Sequence, residues 1–268
     1  MLDRSLSAQD YHSPPAEPGW FARHFPSLAF YRGMIGVVYQ AHRQCKADRY
    51  EDTDWLRSSK GILESLEAVG GEVHVTGTHF LDQAEGACVV LGNHMSTLET
   101  FILPWILRSK LPLTFVVKES LLRYPIFKEV MQSRDPVVVS RMNPKEDLMV
   151  VLKEGEAKLK AGSSITIFPQ TTRTLKFDPK AFNTIGVKLA RRASVPVVPV
   201  AIKSNAWGTD GWPVKEFGKI QPGEPVRIEF GEPMTIAGSG KAENAVAAQF
   251  IADRLKTWGM PIDETEKT

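Results

Sequence analysis

From Trp20 to Tyr39, large apolar residues recur at mostly helical spacings: Trp20, Phe21, Phe25, Leu28, Phe30, Tyr31, Met34, Ile35, Val38 and Tyr39. A second helical pattern covers 54–69 and stops at Gly70-Gly71, where the chain gains backbone freedom. Beyond that point the period changes. Short apolar runs predict strands at 72–76, 87–91, 114–117, 137–139, 164–168, 197–202 and 226–230. Helical patterns lie between them, at 97–108, 125–133, 144–161, 181–192 and 242–258. Strands alternating with helices predict an α/β fold, a mixed, largely parallel sheet flanked by helices, preceded by an N-terminal amphipathic helical segment. Pro104 within the 97–108 pattern predicts a kink or an early break.

The domain reading follows from the same pattern. Residues 1–17, with Pro14-Pro15, read as a flexible lead-in, and 261–268 as a tail. Residues 18–70 form the helical segment, and 71–260 form a single α/β domain.

Charge adds one distinction. The 33 bases and 31 acids of the 268 residues nearly cancel, so bulk charge gives no reason to expect a nucleic-acid partner. Position matters more: Arg23, Arg32, Arg43 and Lys46 punctuate the N-terminal stripe, and no acid occurs between Trp20 and Asp48. A basic, aromatic-rich helix of this kind can lie in a lipid interface. The same stripe is also what a core-packing helical hairpin looks like.

No run of apolar residues reaches the length of a spanning helix, and the first 20 residues lack the pattern of a secretory leader. Cys45 and Cys88 give neither a disulfide framework nor metal-type spacing, which fits a reducing compartment. His12, His24, His42, His74 and His79 form no metal-ligand pattern either, so no metal is expected. These observations place the protein in the cytoplasm, peripheral on the inner face of the cell membrane.

The chemistry concentrates where apolar strands end. The run Val89-Val90-Leu91-Gly92-Asn93-His94-Met95-Ser96-Thr97-Leu98-Glu99 starts as a buried strand and finishes in an apolar helix. His94 therefore falls at a strand's carboxyl end, where open α/β sheets place their ligand sites. On one continuous helix His94 and Glu99 would diverge by about 140°. With His94 in the turn, the Glu99 carboxylate reaches back to an imidazole nitrogen, fixes its tautomer and steadies the imidazolium. Ser96 or Thr97 can cap the helix. Arg173, after strand 164–168, can hold a phosphate or carboxylate in a forked contact or serve as a surface ion-pair partner, and Arg141 ends strand 137–139. Lys118 follows strand 114–117, either to assist the arginines or as a solvated charge.

Four segments in order resemble the four blocks of the glycerolipid (PlsC-like) acyltransferases, over roughly residues 88–202. Asn93-His94-Met95-Ser96-Thr97-Leu98-Glu99 is similar to the first block, a His and an acid with four residues between them. Val137-Val138-Val139-Ser140-Arg141 resembles the second, which ends in an acceptor-binding Arg. Phe168-Pro169-Gln170-Thr171-Thr172-Arg173-Thr174 resembles the third, usually Phe-Pro-Glu-Gly-Thr-Arg-Ser, and Val195-Pro196-Val197-Val198-Pro199-Val200-Ala201 resembles the fourth. Three positions depart from the family pattern. Glu99 stands where Asp is commoner, and Gln170-Thr171 stand where Glu-Gly is usual.

The resemblance implies transfer of a fatty acyl chain from acyl-CoA or acyl-ACP, a co-substrate rather than a resident cofactor, to a hydroxyl of a lysophospholipid-like acceptor. It implies His94 as general base and Glu99 as its partner. Asn93, Arg141, Gln170, Thr171, Thr172 and Arg173, with Lys118, are the implied substrate-binding positions. Partners would be the thioester donor, an acyl carrier protein among its forms, the lipid acceptor and a membrane surface.

Gln170 in place of the usual Glu leaves two alternatives open. One is a non-phosphatidate acceptor such as a glycolipid or aminolipid. The other is a catalytically weak lipid-binding protein on the same scaffold. A serine hydrolase is disfavoured because Gly162-Ser163-Ser164 precedes a strand instead of following one. A phosphate-loop NTPase is disfavoured because Gly240-Lys241 is followed by Ala242.

Overall fold

The computed structural model describes residues 9–124, 126–170, 172–211 and 217–263. The chain runs through β1 (Tyr11–His12), α1 (Trp20–His24), α2 (Pro26–Lys46), α3 (Asp52–Glu67), β2 (Val73–Thr76) and α4 (His79–Asp82). It continues through β3 (Val89–Gly92), α5 (Leu98–Arg108), β4 (Leu113–Lys118), α6 (Phe127–Gln132), β5 (Val137–Val139) and α7 (Pro144–Lys160). The last elements are β6 (Ser164–Ile167), α8 (Ile185–Ala193), β7 (Val197–Lys203), β8 (Val226–Phe230) and α9 (Lys241–Thr257).

Among the described residues the strands form one eight-stranded sheet in the order β1-β2-β8-β7-β3-β6-β4-β5. The ladders from β7 through β3, β6 and β4 to β5 are parallel, whereas β8 runs antiparallel to β7 and β1 antiparallel to β2. The expected mixed, largely parallel sheet is therefore present.

Every residue of β3, β6 and β7 is buried, as strands covered on both faces must be. Alternation divides their side chains between two apolar layers. Val90, Val198, Val200 and Ile202 join the cluster that α2, α3 and α5 cover. Val89, Leu91, Ile165, Val197 and Ala201 join the cluster beneath α7, α8 and α9. Gly186 lets α8 approach β3 closely, since a Cβ there would lie 2.3 Å from Leu91 Cδ1.

Three expectations need correction. The lead-in is tied down from residue 10 to residue 13. Tyr11 and His12 pair with Val75 and His74, Tyr11 Oη and Ser13 Oγ donate to Glu67, and Asp10 accepts from Thr78. Helix α5 passes through Pro104 without an early break. Ser59 of α3 repairs the ladder there: Trp105 N–H donates to Ser59 Oγ at 2.8 Å, and that hydroxyl donates onward to the Phe101 carbonyl at 2.5 Å. The helix expected over 181–192 starts only at Ile185, because residues 179–181 form a tight 3₁₀ turn behind Pro179. Residues 1–8, Pro125 and 264–268, on which parts of the lead-in, a helix start and the tail were expected, lie outside the described residues.

Candidate active site

The site forms where β3 gives way to α5. Asn93 continues the sheet with its side chain: Nδ2 donates to the Ile202 carbonyl at 2.7 Å and Oδ1 accepts from Ile202 N–H at 2.8 Å. That buried amide, expected to bind substrate, is instead part of the β3–β7 seam. It is a correction with a plain cause, since β7 presents a free peptide edge beside it.

His94 is the next residue, and the third block holds its peptide from both sides. Its N–H donates to Gln170 Oε1 at 2.7 Å, and its carbonyl accepts from Thr174 N–H at 3.1 Å. Phe168 stacks on the imidazole, with ring centroids 4.6 Å apart and planes 11° from parallel. The backbone clamp and the aromatic plate together fix the direction of the ring.

Glu99, in the first turn of α5, is fully buried. An isolated carboxylate there would be costly, so its hydrogen bonds decide whether it is charged. Oε1 accepts from His94 Nδ1 at 2.8 Å, Met95 N–H at 2.6 Å and Ser96 N–H at 2.9 Å. Oε2 accepts from Ser96 Oγ at 2.9 Å and from Ser204 Oγ. Burial pushes the carboxyl's pKa up. The hydrogen bond and charge of His94, with Ser204 and the main chain, outweigh it and hold the group below its ordinary value. An ionised carboxylate is acceptor-only, so the proton shared with His94 belongs to Nδ1. Nε2 then carries the lone pair, and among the described residues it has no hydrogen-bond partner. The His94 side chain is 21% exposed, enough for a substrate hydroxyl to reach it.

Arg173 reaches the same turn and donates to Thr97 Oγ1. Thr172 is exposed, with its hydroxyl on the Arg173 carbonyl, and Thr171 lies outside the described residues. Lys118 ends β4 and Arg141 follows β5, two and three strands from β3, or about 10 and 14 Å at ordinary strand spacing. Arg141 is exposed and adopts φ +62°, its N–H and Ser140 being held by Asp147. The dyad, Gln170 and Arg173 are thus brought together, whereas Lys118 and Arg141 stand at the rim.

Sequence reasoning missed Ser204, which follows β7 at its carboxyl end and meets Glu99 across 105 residues. The strand-end rule that singled out His94 would have found it. Among the described residues no group of three or more His, Cys, Asp or Glu is placed to hold a metal.

The N-terminal helices carry a second unusual surface. Helix α2 buries Phe30, Met34, Val38 and Ala41 against the domain. Trp20, Phe21, Phe25, Leu28, Ile35 and Tyr39 remain exposed, Trp20 at 69% and Leu28 at 61%. Among the described residues no helix is long and apolar enough to cross a membrane.

Such a site and sheet define a class, and comparison with known proteins agrees with it. The family model described as Acyltransferase matches residues 72–203, which hold the His94 turn, the Gln170–Arg173 turn and β7. Over that stretch, a little under half of its length, the chain is similar to this acyltransferase family. It is 33% identical over 172 residues to a 1-acyl-sn-glycerol-3-phosphate acyltransferase of Pseudomonas aeruginosa, a match covering 63% of this chain and 65% of that protein. A second, from Borreliella burgdorferi, is 26% identical over 53% of this chain and 55% of its own length. The chain therefore spans less than two thirds of these curated relatives. The crystal structure of PlsC, the 1-acyl-sn-glycerophosphate acyltransferase of Thermotoga maritima, shares the fold with a TM-score of 0.63 at 20% identity, covering 91% of this chain and 98% of that one.

Proposed function

We propose that the protein is an O-acyltransferase that moves a fatty acyl chain from an acyl thioester to a hydroxyl of a lysophospholipid-like acceptor at a membrane surface. The observation that carries the reading is the His94–Glu99 pair, with Nδ1 held at 2.8 Å and Nε2 left for a substrate proton. His94 Nε2 takes the proton from the acceptor hydroxyl as its oxygen bonds to the thioester carbonyl carbon. The tetrahedral intermediate collapses by breaking the C–S bond, and the imidazolium returns its proton to the leaving thiolate. General-base help of this kind is worth about 10²–10⁴ in rate. Glu99 stabilises the imidazolium that forms between the two steps. No resident cofactor enters the scheme; the thioester, as acyl-CoA or acyl-ACP, is consumed.

Arg173, beside Thr97, stands where it can meet an anionic head group, and Arg141 and Lys118 lie at the ends of strands farther along the sheet. The exposed aromatic face of α1 and α2, flanked by Arg23, Arg32, Arg43 and Lys46, supports docking on a bilayer whose lipids supply the acceptor. Gln170 favours a second reading of the acceptor. Its oxygen is committed to His94 N–H, and a neutral amide there, where the family pattern has a carboxylate, fits a non-phosphatidate acceptor such as a glycolipid or aminolipid. A radiolabelled acyl thioester offered with lysophosphatidate, other lysolipids, glycolipids and aminolipids, with mass spectrometry of each product, tests both readings. One acylated product supports the transferase and names its acceptor. Lipid binding without turnover on any acceptor contradicts it.

A further inference from the structure

The dyad contains more hydrogen-bonding groups than a His and an acid require. Ser204 lies one residue beyond the end of β7, fully buried, in a different part of the chain from the first block. Its hydroxyl donates to Glu99 Oε2 and lies 2.9 Å from Ser96 Oγ. Its N–H approaches Met95 Sδ at 3.3 Å, so main chain and side chain both face the His94 turn.

The protons can be counted. Three N–H donors, including the imidazole, converge on Glu99 Oε1. Oε2 has the Ser96 N–H at a longer 3.1 Å and otherwise depends on the two serine hydroxyls. Each hydroxyl has one proton to give. Two protons thus serve three contacts: with Ser204 donating to Oε2, the Ser96 proton goes either to Oε2 or to Ser204 Oγ, and Ser96 Oγ also accepts from Leu98 N–H at the start of α5. The hydroxyl chain thus fastens the second carboxylate oxygen to both the start of α5 and the end of β7. Without Ser204, Oε2 keeps the Ser96 hydroxyl at 2.9 Å and the Ser96 N–H at 3.1 Å but loses its tie to the end of β7, so the carboxylate is held less firmly against rotation about its terminal bond. Rotation would take Oε1 away from the imidazole.

We propose that Ser204 is a positioning residue of the dyad, which acts through Glu99 Oε2 to keep Oε1 on His94 Nδ1. The seat is matched to a glutamate. An aspartate, one methylene shorter, is expected to lose the contact with the Ser204 hydroxyl while keeping those at the His94 turn. The inference rests on the reading of His94 and Glu99 as a base and its partner.

The test is a double-mutant cycle on the full chain, Ser204→Ala and Glu99→Asp, singly and together, with transfer kinetics and ¹⁵N-histidine NMR. Ser204→Ala is expected to lower kcat about tenfold to a hundredfold, the worth of one hydrogen bond to a charge, while KM stays within about twofold. In the Glu99→Asp background the same change is expected to cost less than about twofold, because the contact it removes is already absent. NMR of the wild type should show His94 protonated on Nδ1, and Ser204→Ala should mix the two tautomers. If Ser204→Ala does not fold, Ser204→Cys, which keeps the shape and a weaker donor, should give the same changes in smaller degree.

Equal losses in both backgrounds, or an unchanged tautomer beside an unchanged kcat, would overturn the proposal. The NMR arm needs no turnover. A tautomer change in a protein that acylates nothing would uphold the positioning role while refuting the transferase reading.

Discussion

Two regions of this molecule break the usual division of polar and apolar groups, in opposite directions. At the carboxyl end of β3 a carboxylate is wholly buried, and on α1 and α2 large apolar side chains stand in solvent. The first costs desolvation, and hydrogen bonds from His94, Met95, Ser96 and Ser204 repay it. The second leaves apolar area that nothing among the described residues covers, beside a helix face that Phe30, Met34 and Val38 do bury. A satisfied buried charge is complete in itself, as the proposed chemistry requires. An uncovered apolar face has its free energy still to gain, and the proposed membrane interface would supply it.

The comparison breaks most visibly at the dyad. Replacing His94 by Ala is expected to lower transfer about 10³-fold or more with the fold retained, since the ring is partly exposed and Met95, Ser96 and Ser204 still hydrogen-bond Glu99; circular dichroism beside a turnover assay checks this. Glu99→Gln removes the charge but keeps the shape. It leaves an N–H₂ group among donors, and about 3 kcal/mol of stability should be lost near neutral pH, measured by denaturant unfolding. The sign with pH follows from the lowered folded-state value of Glu99. The stabilisation is fully present above the ordinary 4.5 and is lost as pH falls through the lower folded value. The gap between wild type and Glu99→Gln should therefore close on acidification below that point.

The apolar face gives a smaller, separable effect. Changing Trp20, Phe25 and Leu28 together to Ser should cut partition onto anionic vesicles about a hundredfold or more in flotation assays. The melting temperature should hardly change, because all three side chains are exposed. The mildest change is Gln170→Glu. The carboxylate can still accept from His94 N–H, so turnover should stay within about tenfold.

Periodicity exposed the sheet, its covering helices and the strand-end rule, and the rule located His94 and Arg173. The helical spacing on 20–39 left two readings open, and α2 has both a buried and an exposed face. What stayed hidden depended on partners distant in sequence. A two-residue strand such as Tyr11–His12 carries no period, and its order comes from β2 and Glu67. Helix α5 survives Pro104 only because Ser59 arrives from another helix. Asn93 looks like a ligand residue until β7 lies beside it. Ser204 shows its role only when β7 and β3 are neighbours in the sheet.

The central claim is that His94 takes the acceptor's proton. Its most direct measurement is single-turnover acyl transfer to a monodisperse, short-chain lysolipid, where docking on a bilayer plays no part, by the wild type and by folded His94→Ala. The account predicts rapid product formation in the first and a loss of about 10³-fold in the second. Equal rates in the two proteins would contradict it.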